Sequence, residues 1–300
     1  MDTQFTEKKL IEVYVELDDL LKEFEKYSLK KGTPLKKHDT ALSASEVGAI
    51  LVMYHLSGYK TFEYYYKRVI LKEYKSWFPQ APSYKSFLRY ISMSLEVMML
   101  WLLYKCSQSK RTGFYIIDSK KLPVCHIKRE HQHQVFKDIA RKGKSSMGWF
   151  YGFKIHLVIN NLGEVVSFEL STGNVADNNH DLLKKLLSKL EGICIGDKGY
   201  LTKLFEYFYE NKLHLLVKQK KNSQGKVALP HHIKLLNSRG LIESVFDIAS
   251  SVMDIDHTRH RKPVNAFTHI FSAIVAYQFY ENKPCLFFPS LLEQNISNAA

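Results

Sequence analysis

Only four cysteines occur in the 300 residues, Cys106, Cys125, Cys194 and Cys285, and no two of them form a Cys-x-x-Cys pair. That scarcity excludes a paired-cysteine zinc module and a disulfide framework, and it predicts a reducing compartment. The chain also lacks an apolar run that could span a bilayer. Its best stretch, residues 97–104, is bounded by Glu96 and Lys105 and falls far short of the roughly 20 residues a span needs. The first residues are acidic and amphipathic, unlike a secretory signal. Eight prolines are scattered instead of gathered into a linker, and neither a repeat nor a low-complexity tract emerges. Acidic side chains are in deficit, 30 Asp and Glu against 43 Lys and Arg, for a formal charge of +13. A surplus of that size favours a polyanionic partner, with nucleic acid ahead of an acidic membrane; the cysteine usage predicts a cytoplasmic protein, and the short apolar runs predict no membrane association.

What is present is a 45% apolar chain, able to bury one large core or two ordinary ones. Residues 1–110 read as an all-helical N-terminal domain. Leu10, Val13, Leu17, Leu20, Leu21 and Phe24 recur at helical spacing, and Ser43 with Glu46 forms a capping-box pattern ahead of a second helix that stops near Gly58. The aromatic run Tyr64, Tyr65 and Tyr66 reads as core, with base stacking the less favoured use. Pro79 and Pro82 then separate it from a helix over about residues 83–106. After Gly113 the pattern changes to short apolar runs. Residues 114–117 read as a strand, 153–160 and 164–171 as a hairpin, and helices and strands alternate through residue 218. That order predicts an α/β fold over residues 111–300, a mixed sheet flanked by helices, with a last helix over about 264–280 packing on the sheet.

Three carboxylates stand where chemistry could use them. Asp118 and Asp197 each follow an apolar, strand-forming run, in FYIIDSK and ICIGDKGY, and Glu243 lies in the helical pattern NSRGLIESVF. An acid at the end of a buried strand is costly unless a cation offsets it. Hard oxygen ligands suit Mg²⁺, and two such ions support phosphoryl transfer by activating a nucleophile and steadying the leaving oxygen. In that scheme Asp118 bridges both ions, Asp197 binds one and Glu243 the other. Plainer readings stand beside it: a turn or cap for Asp118, a turn between Gly196 and Gly199 for Asp197, and a solvated helix position for Glu243 paired with Arg239 four residues earlier. Asp247, one turn on, competes for the place of third ligand.

Taken in order, these motifs resemble bacterial DDE transposases, most closely the insertion-sequence 982 family. Asp118 with SKKLPVC resembles the first-acid segment, and GFKIHLVIN through GEVVSFELSTGNVADN the strand pair and following loop. GDKGY resembles the second-acid motif and RGLIESVF the third. The likeness is close over about residues 110–280. It implies an RNase H-like catalytic fold and catalytic, metal-binding roles for Asp118, Asp197 and Glu243 with two Mg²⁺ ions, which Mn²⁺ can replace. It further implies cleavage of element ends followed by 3′-hydroxyl strand transfer into target DNA. Implied partners are double-stranded DNA, as terminal inverted repeats and target, and a second copy of the chain in a dimer on paired ends. Two positions depart from the wider pattern: Leu236 lies in the turn before Arg239, where a tyrosine is usual, and Ser250 stands where a lysine is usual.

Candidate DNA contacts are Arg239, Lys198, Lys120, Arg141 and Lys142, with His257, Arg259, Arg261 and Lys262 as a dense later cluster. Lysines 218, 220, 221 and 226 form a further basic group, and Lys36, Lys37, Lys60, Lys67 and Arg68 are the candidates in the helical region 1–110, read as a domain for binding DNA ends or for oligomerisation. Such groups suit phosphates, which give affinity and salt dependence without sequence choice; each also reads as a solvated surface. Histidines 126, 131 and 133 lack the cysteine partners of a zinc site. Two other functions fit the same residues: an RNase H-like nuclease without joining activity, and a catalytically inactive, transposase-derived DNA-binding repressor.

Overall fold

Ser43 and Glu46 close the expected capping box in the computed structural model of the chain. The Glu46 amide donates to Ser43 Oγ at 3.1 Å, and the Ser43 amide donates to Glu46 Oε2 at 2.7 Å. The structure describes residues 6–32, 40–145, 148–217, 230–256 and 259–287. Their contacts group into two units, Met1–Tyr104 with Ile248–Glu281, and Lys105–Asp247 with Asn282–Ala300.

The first unit is built from helices: α1 (Glu7–Lys30), α2 (Ala44–Leu56), a short α3 (Phe62–Tyr65) that continues as a π-helical stretch through Glu73, α4 (Tyr84–Met93) and α5 (Leu95–Gln108). The helix expected over 83–106 is interrupted at Ser94, whose hydroxyl donates to the Tyr90 carbonyl at 2.8 Å and competes with the regular ladder. Tyr65 and Tyr66 are fully buried and donate to the carbonyls of Ile50 and Pro82, while Tyr64 is exposed. Two of the three tyrosines are therefore core. The last helix, α10 (Pro263–Phe279), packs against α2 and α4 instead of covering the sheet as expected. It is buried almost all round, which a helix lying on one face of a sheet would not be. Among the described residues no single helix is long and apolar enough to cross a membrane.

The second unit is a mixed α/β structure. Strands β1 (Phe114–Cys125), β2 (Arg141–Ser145), β3 (Gly148–Asn160), β4 (Val165–Thr172), β5 (Gly192–Gly196) and β6 (Leu213–Val217) form one six-stranded sheet in the order β2-β3-β1-β5-β6, with β4 also paired to β3. The predicted hairpin is present as β3 and β4, antiparallel from Phe153↔Thr172 to Ile159↔Val165. β1 runs antiparallel to β3 and parallel to β5, and β5 runs parallel to β6. Helices α6 (His180–Leu187), α7 (Phe205–Glu210), α8 (Pro230–Asn237) and α9 (Gly240–Ser251) complete the chain order. Tyr115, Ile117 and Val158 on one face of the sheet pack with Leu183 and Leu187 of α6 and Phe208 of α7. Because side chains alternate along a strand, Ile116 and Asp118 face the other way.

Two strands exceed the sequence reading. β1 continues past Ile117 through a polar run, because ladder hydrogen bonds to β3 persist to Pro123↔Gly152 whatever the side chains are. β2 is a basic edge strand, paired with β3 from Arg141↔Gly152 to Ser145↔Gly148, where no apolar alternation announced one. The start of β5 depends on Gly192. Its φ is +111°, and a Cβ there would collide with the carbonyl oxygen of Gly113, the same oxygen that accepts from the Ile193 amide at 2.8 Å. Gly192→Ala is expected to destabilise this unit by about 2 kcal/mol or more, read as a lower urea midpoint. An unchanged midpoint would mean that the β1–β5 junction tolerates the methyl.

Candidate active site

The parallel pairing of β1 with β5 ends at Ile116↔Ile195. Asp118 follows two residues later on β1, and Asp197 follows Gly196, the last residue of β5. Two acids far apart in sequence thus meet where the parallel pairing of β1 with β5 stops: Asp118 within β1, which runs on to Cys125 beside β3, and Asp197 just past the carboxyl end of β5, the edge where open α/β sheets commonly place their sites. Asp197 caps a short turn, Lys198–Tyr200, and its Oδ1 accepts from the Gly199 amide at 2.6 Å. A Cβ at Gly199 would lie 2.8 Å from that same oxygen, which explains the glycine in GDKGY.

Glu243 comes from the first turn of α9. Arg239, just ahead of that helix, joins all three acids. Its Nη2 donates to Glu243 Oε1 at 2.6 Å, and its Nη1 lies 3.7 Å from both Asp118 Oδ2 and Asp197 Oδ2. The i, i+4 pair expected from sequence is formed, and the same guanidinium also reaches Asp118 and Asp197. An open cavity of about 470 Å³ adjoins Asp197 and Glu243, lined also by Lys198, Leu236, Asn237, Arg239 and Gly240.

The carboxylates differ in setting. The Asp118 side chain is 20% exposed, Asp197 38% and Glu243 59%, so desolvation falls mainly on Asp118. Burial pushes the Asp118 carboxyl up to about 6, against the pull of the Ser119 amide, which donates to Oδ1 at 2.8 Å, and of Arg239. Asp197 and Asp177 push it further up.

An all-oxygen donor set around a buried acid has the chemistry a hard divalent cation requires. With Arg239 among them, however, no three His, Cys, Asp or Glu groups of the described residues are gathered tightly enough to hold a metal ion as they stand. The donors therefore fit Mg²⁺ in kind.

The proposed DNA contacts are spread more widely. Lys198 is exposed at the cavity, and Lys120 is half-buried on β1, two residues along the same face from Asp118. Arg141 and Lys142 are exposed on edge strand β2. Arg141 donates to the carbonyls of Asp138 and Ala140, and Lys142 pairs with Glu130 at 3.2 Å. Lys142 and Lys144 also lie over the ring of exposed Trp149, 5.5 and 5.6 Å from its centroid. Arg259, Arg261 and Lys262 are exposed in the helical unit, where Lys262 precedes α10. His257, Lys36, Lys37, Lys218, Lys220, Lys221 and Lys226 lie outside the described residues.

Sequence reading missed Asp177, which stands in the loop between β4 and α6, with its Oδ1 accepting from Ser119 Oγ at 3.1 Å and Lys154 Nζ at 3.0 Å. No apolar run precedes it, so nothing local distinguished it from a turn residue. Residues 108–263, more than half of the chain and including all four of these acids, match the family model described as a transposase DDE domain. No curated protein matches the sequence.

Proposed function

The chain belongs to the transposase DDE domain family, and from that premise we propose that it is a transposase with an RNase H-like catalytic domain, of the insertion-sequence 982 type. It cleaves the ends of its element and joins the 3′-hydroxyl to target DNA. The observation that carries this reading is the meeting of Asp118, Asp197 and Glu243 around one guanidinium, just past the last paired residues of β1 and β5. Those three carboxylates would hold two Mg²⁺ ions, or Mn²⁺ in their place. Bound there, the metal would make water or a 3′-hydroxyl a stronger nucleophile and stabilise the leaving oxygen. Asp118 enters as a buried acid poised to ionise, Asp197 is aimed by the Gly199 amide, and Glu243 is delivered on α9 once Arg239 turns to a phosphate. Lys198 at the cavity and Lys120 on β1 meet the DNA backbone near the reacting bond, and Arg259, Arg261 and Lys262 of the helical unit bind phosphates in their own right. The protein works in the cytoplasm as a dimer on paired inverted repeats.

Incubating the full chain and Mg²⁺ with a duplex bearing an exposed 3′-hydroxyl end, plus a target plasmid, tests the reading. Joined products are expected. Hydrolysis alone would instead indicate a nuclease without joining activity, and binding without cleavage a repressor.

Edge strand β2 supplies a second test. Lys144 lies opposite Trp149 in the β2–β3 register, and Lys142 shares that face two residues away. The double change Lys142→Glu and Lys144→Glu should weaken binding to all DNA sequences alike and lower the salt slope by about 2. An unchanged slope in a fluorescence-anisotropy titration would remove this face from the DNA path.

A further inference from the structure

Asp118 has an immediate neighbour, Ser119, that faces the opposite side of β1, and Ser119 is tied to groups the proposed chemistry does not use. Ser119 Oγ donates to Asp177 Oδ1 at 3.1 Å. The same oxygen accepts from Lys154 Nζ at 3.0 Å, and Lys154 Nζ also donates to the Val175 carbonyl at 2.9 Å. Lys154 is 8% exposed, so its ammonium is costly to bury without Asp177 beside it. His156, which pairs with Ser119 in the β1–β3 register, is fully buried; its Nε2 lies 2.8 Å from Ser171 Oγ and its Nδ1 3.9 Å from Asp177 Oδ1, without a hydrogen bond. The loop after β4 is thereby fastened to β3 and to β1 through one carboxylate oxygen.

We propose that Asp177 is a positioning residue for the site: braced by Lys154, it holds Ser119 on one face of β1 and so fixes the direction of Asp118 on the other. The physical route is short. Successive side chains of a strand point to opposite faces, so the rotation of β1 about its own axis at Ser119 sets where Asp118 points. The Ser119 amide supplies the second constraint, by donating to Asp118 Oδ1 at 2.8 Å. Asp177 and Lys154 never touch the reacting atoms in this arrangement. Supporting groups of this kind usually change metal affinity or turnover by roughly ten- to a hundredfold when removed.

The inference rests on the transposase reading, and wild type with Asp118→Asn serves as the control for that reading. Three further variants, Ser119→Ala, Asp177→Asn and the double variant, are compared with wild type in single-turnover cleavage of a DNA end, in DNA affinity, and in Mn²⁺ affinity by calorimetry without DNA. Ser119→Ala leaves the Lys154–Asp177 pair intact and therefore separates positioning from charge neutralisation. The expected result is a drop of about tenfold or more in cleavage rate and in Mn²⁺ affinity for each single variant, with DNA affinity unchanged and the double variant no worse than the weaker single. Ser119→Ala with wild-type cleavage and Mn²⁺ affinity overturns the proposal and leaves Asp177 a counter-ion for Lys154. So do single effects that multiply in the double variant. Wild type and Asp118→Asn behaving alike would bring down the reading itself, and this inference with it.

Discussion

Asp118→Asn is expected to abolish cleavage, by about 10³-fold or more, while leaving DNA binding intact and making the metal-free protein more stable at pH 8. The first two effects follow from its place. Asp118 is the most buried of the three acids, and Asn offers an oxygen to the Ser119 amide but no charge to a divalent ion. The third follows from linkage. Burial raises the folded-state pKa of Asp118 to about 6, above the ordinary value of about 3.9. Below about pH 4 the carboxyl is protonated in both folded and unfolded chains and contributes no difference. As pH rises from about 4 to about 6, the unfolded chain releases its proton first, so stability falls. Above about pH 6 the full penalty is present, on the order of 2 to 3 kcal/mol. Asn removes it. Thermal unfolding in EDTA should therefore show the variant above wild type at pH 8 and equal to it at pH 4. Cleavage that survives the substitution would exclude Asp118 from the site, and a stability gain equal at both pH values would exclude burial of its charge as the cause.

Arg239→Gln is expected to make the protein depend on divalent ions for stability. One guanidinium now faces three carboxylates, and without it the acids lose the cation they share and repel one another. Exposure of Asp197 and Glu243 screens part of that repulsion, so the loss should be about 1 to 2 kcal/mol, less than for a fully buried pair. Each kcal/mol corresponds to about 2–4 °C in a chain of this size. Mg²⁺ should raise the unfolding midpoint of the variant more than that of wild type, because the ion and the guanidinium serve the same carboxylates. Equal shifts in the two proteins would show that Arg239 and the ion do not share a place.

How far the sequence could be read depended on whether the signal was local. Helices α1 and α2, the Ser43–Glu46 capping box and the β3–β4 hairpin were legible because each rests on residues within one or two turns of the chain. The Arg239–Glu243 pair was legible for the same reason. β2 and the distal half of β1 were not, since their side chains are polar and only the backbone ladder with β3 makes them strands. The destination of α10 was hidden as well: an apolar helix declares that it will be buried, but not against which neighbours.

Residue order was enough to show that acids follow two apolar runs, that a third stands in a helical pattern four residues from an arginine, and that the chain carries a cationic surplus. Those features depend on residue type and short spacing, which folding does not alter. That Asp118 and Asp197 lie on neighbouring strands, and that Arg239 reaches both, came from the folded chain alone. It alone brought Asp177 to Ser119 and Lys154. Each of these contacts joins residues from separate elements, and the register of the sheet, set by cooperative backbone pairing, is what chooses among such partners.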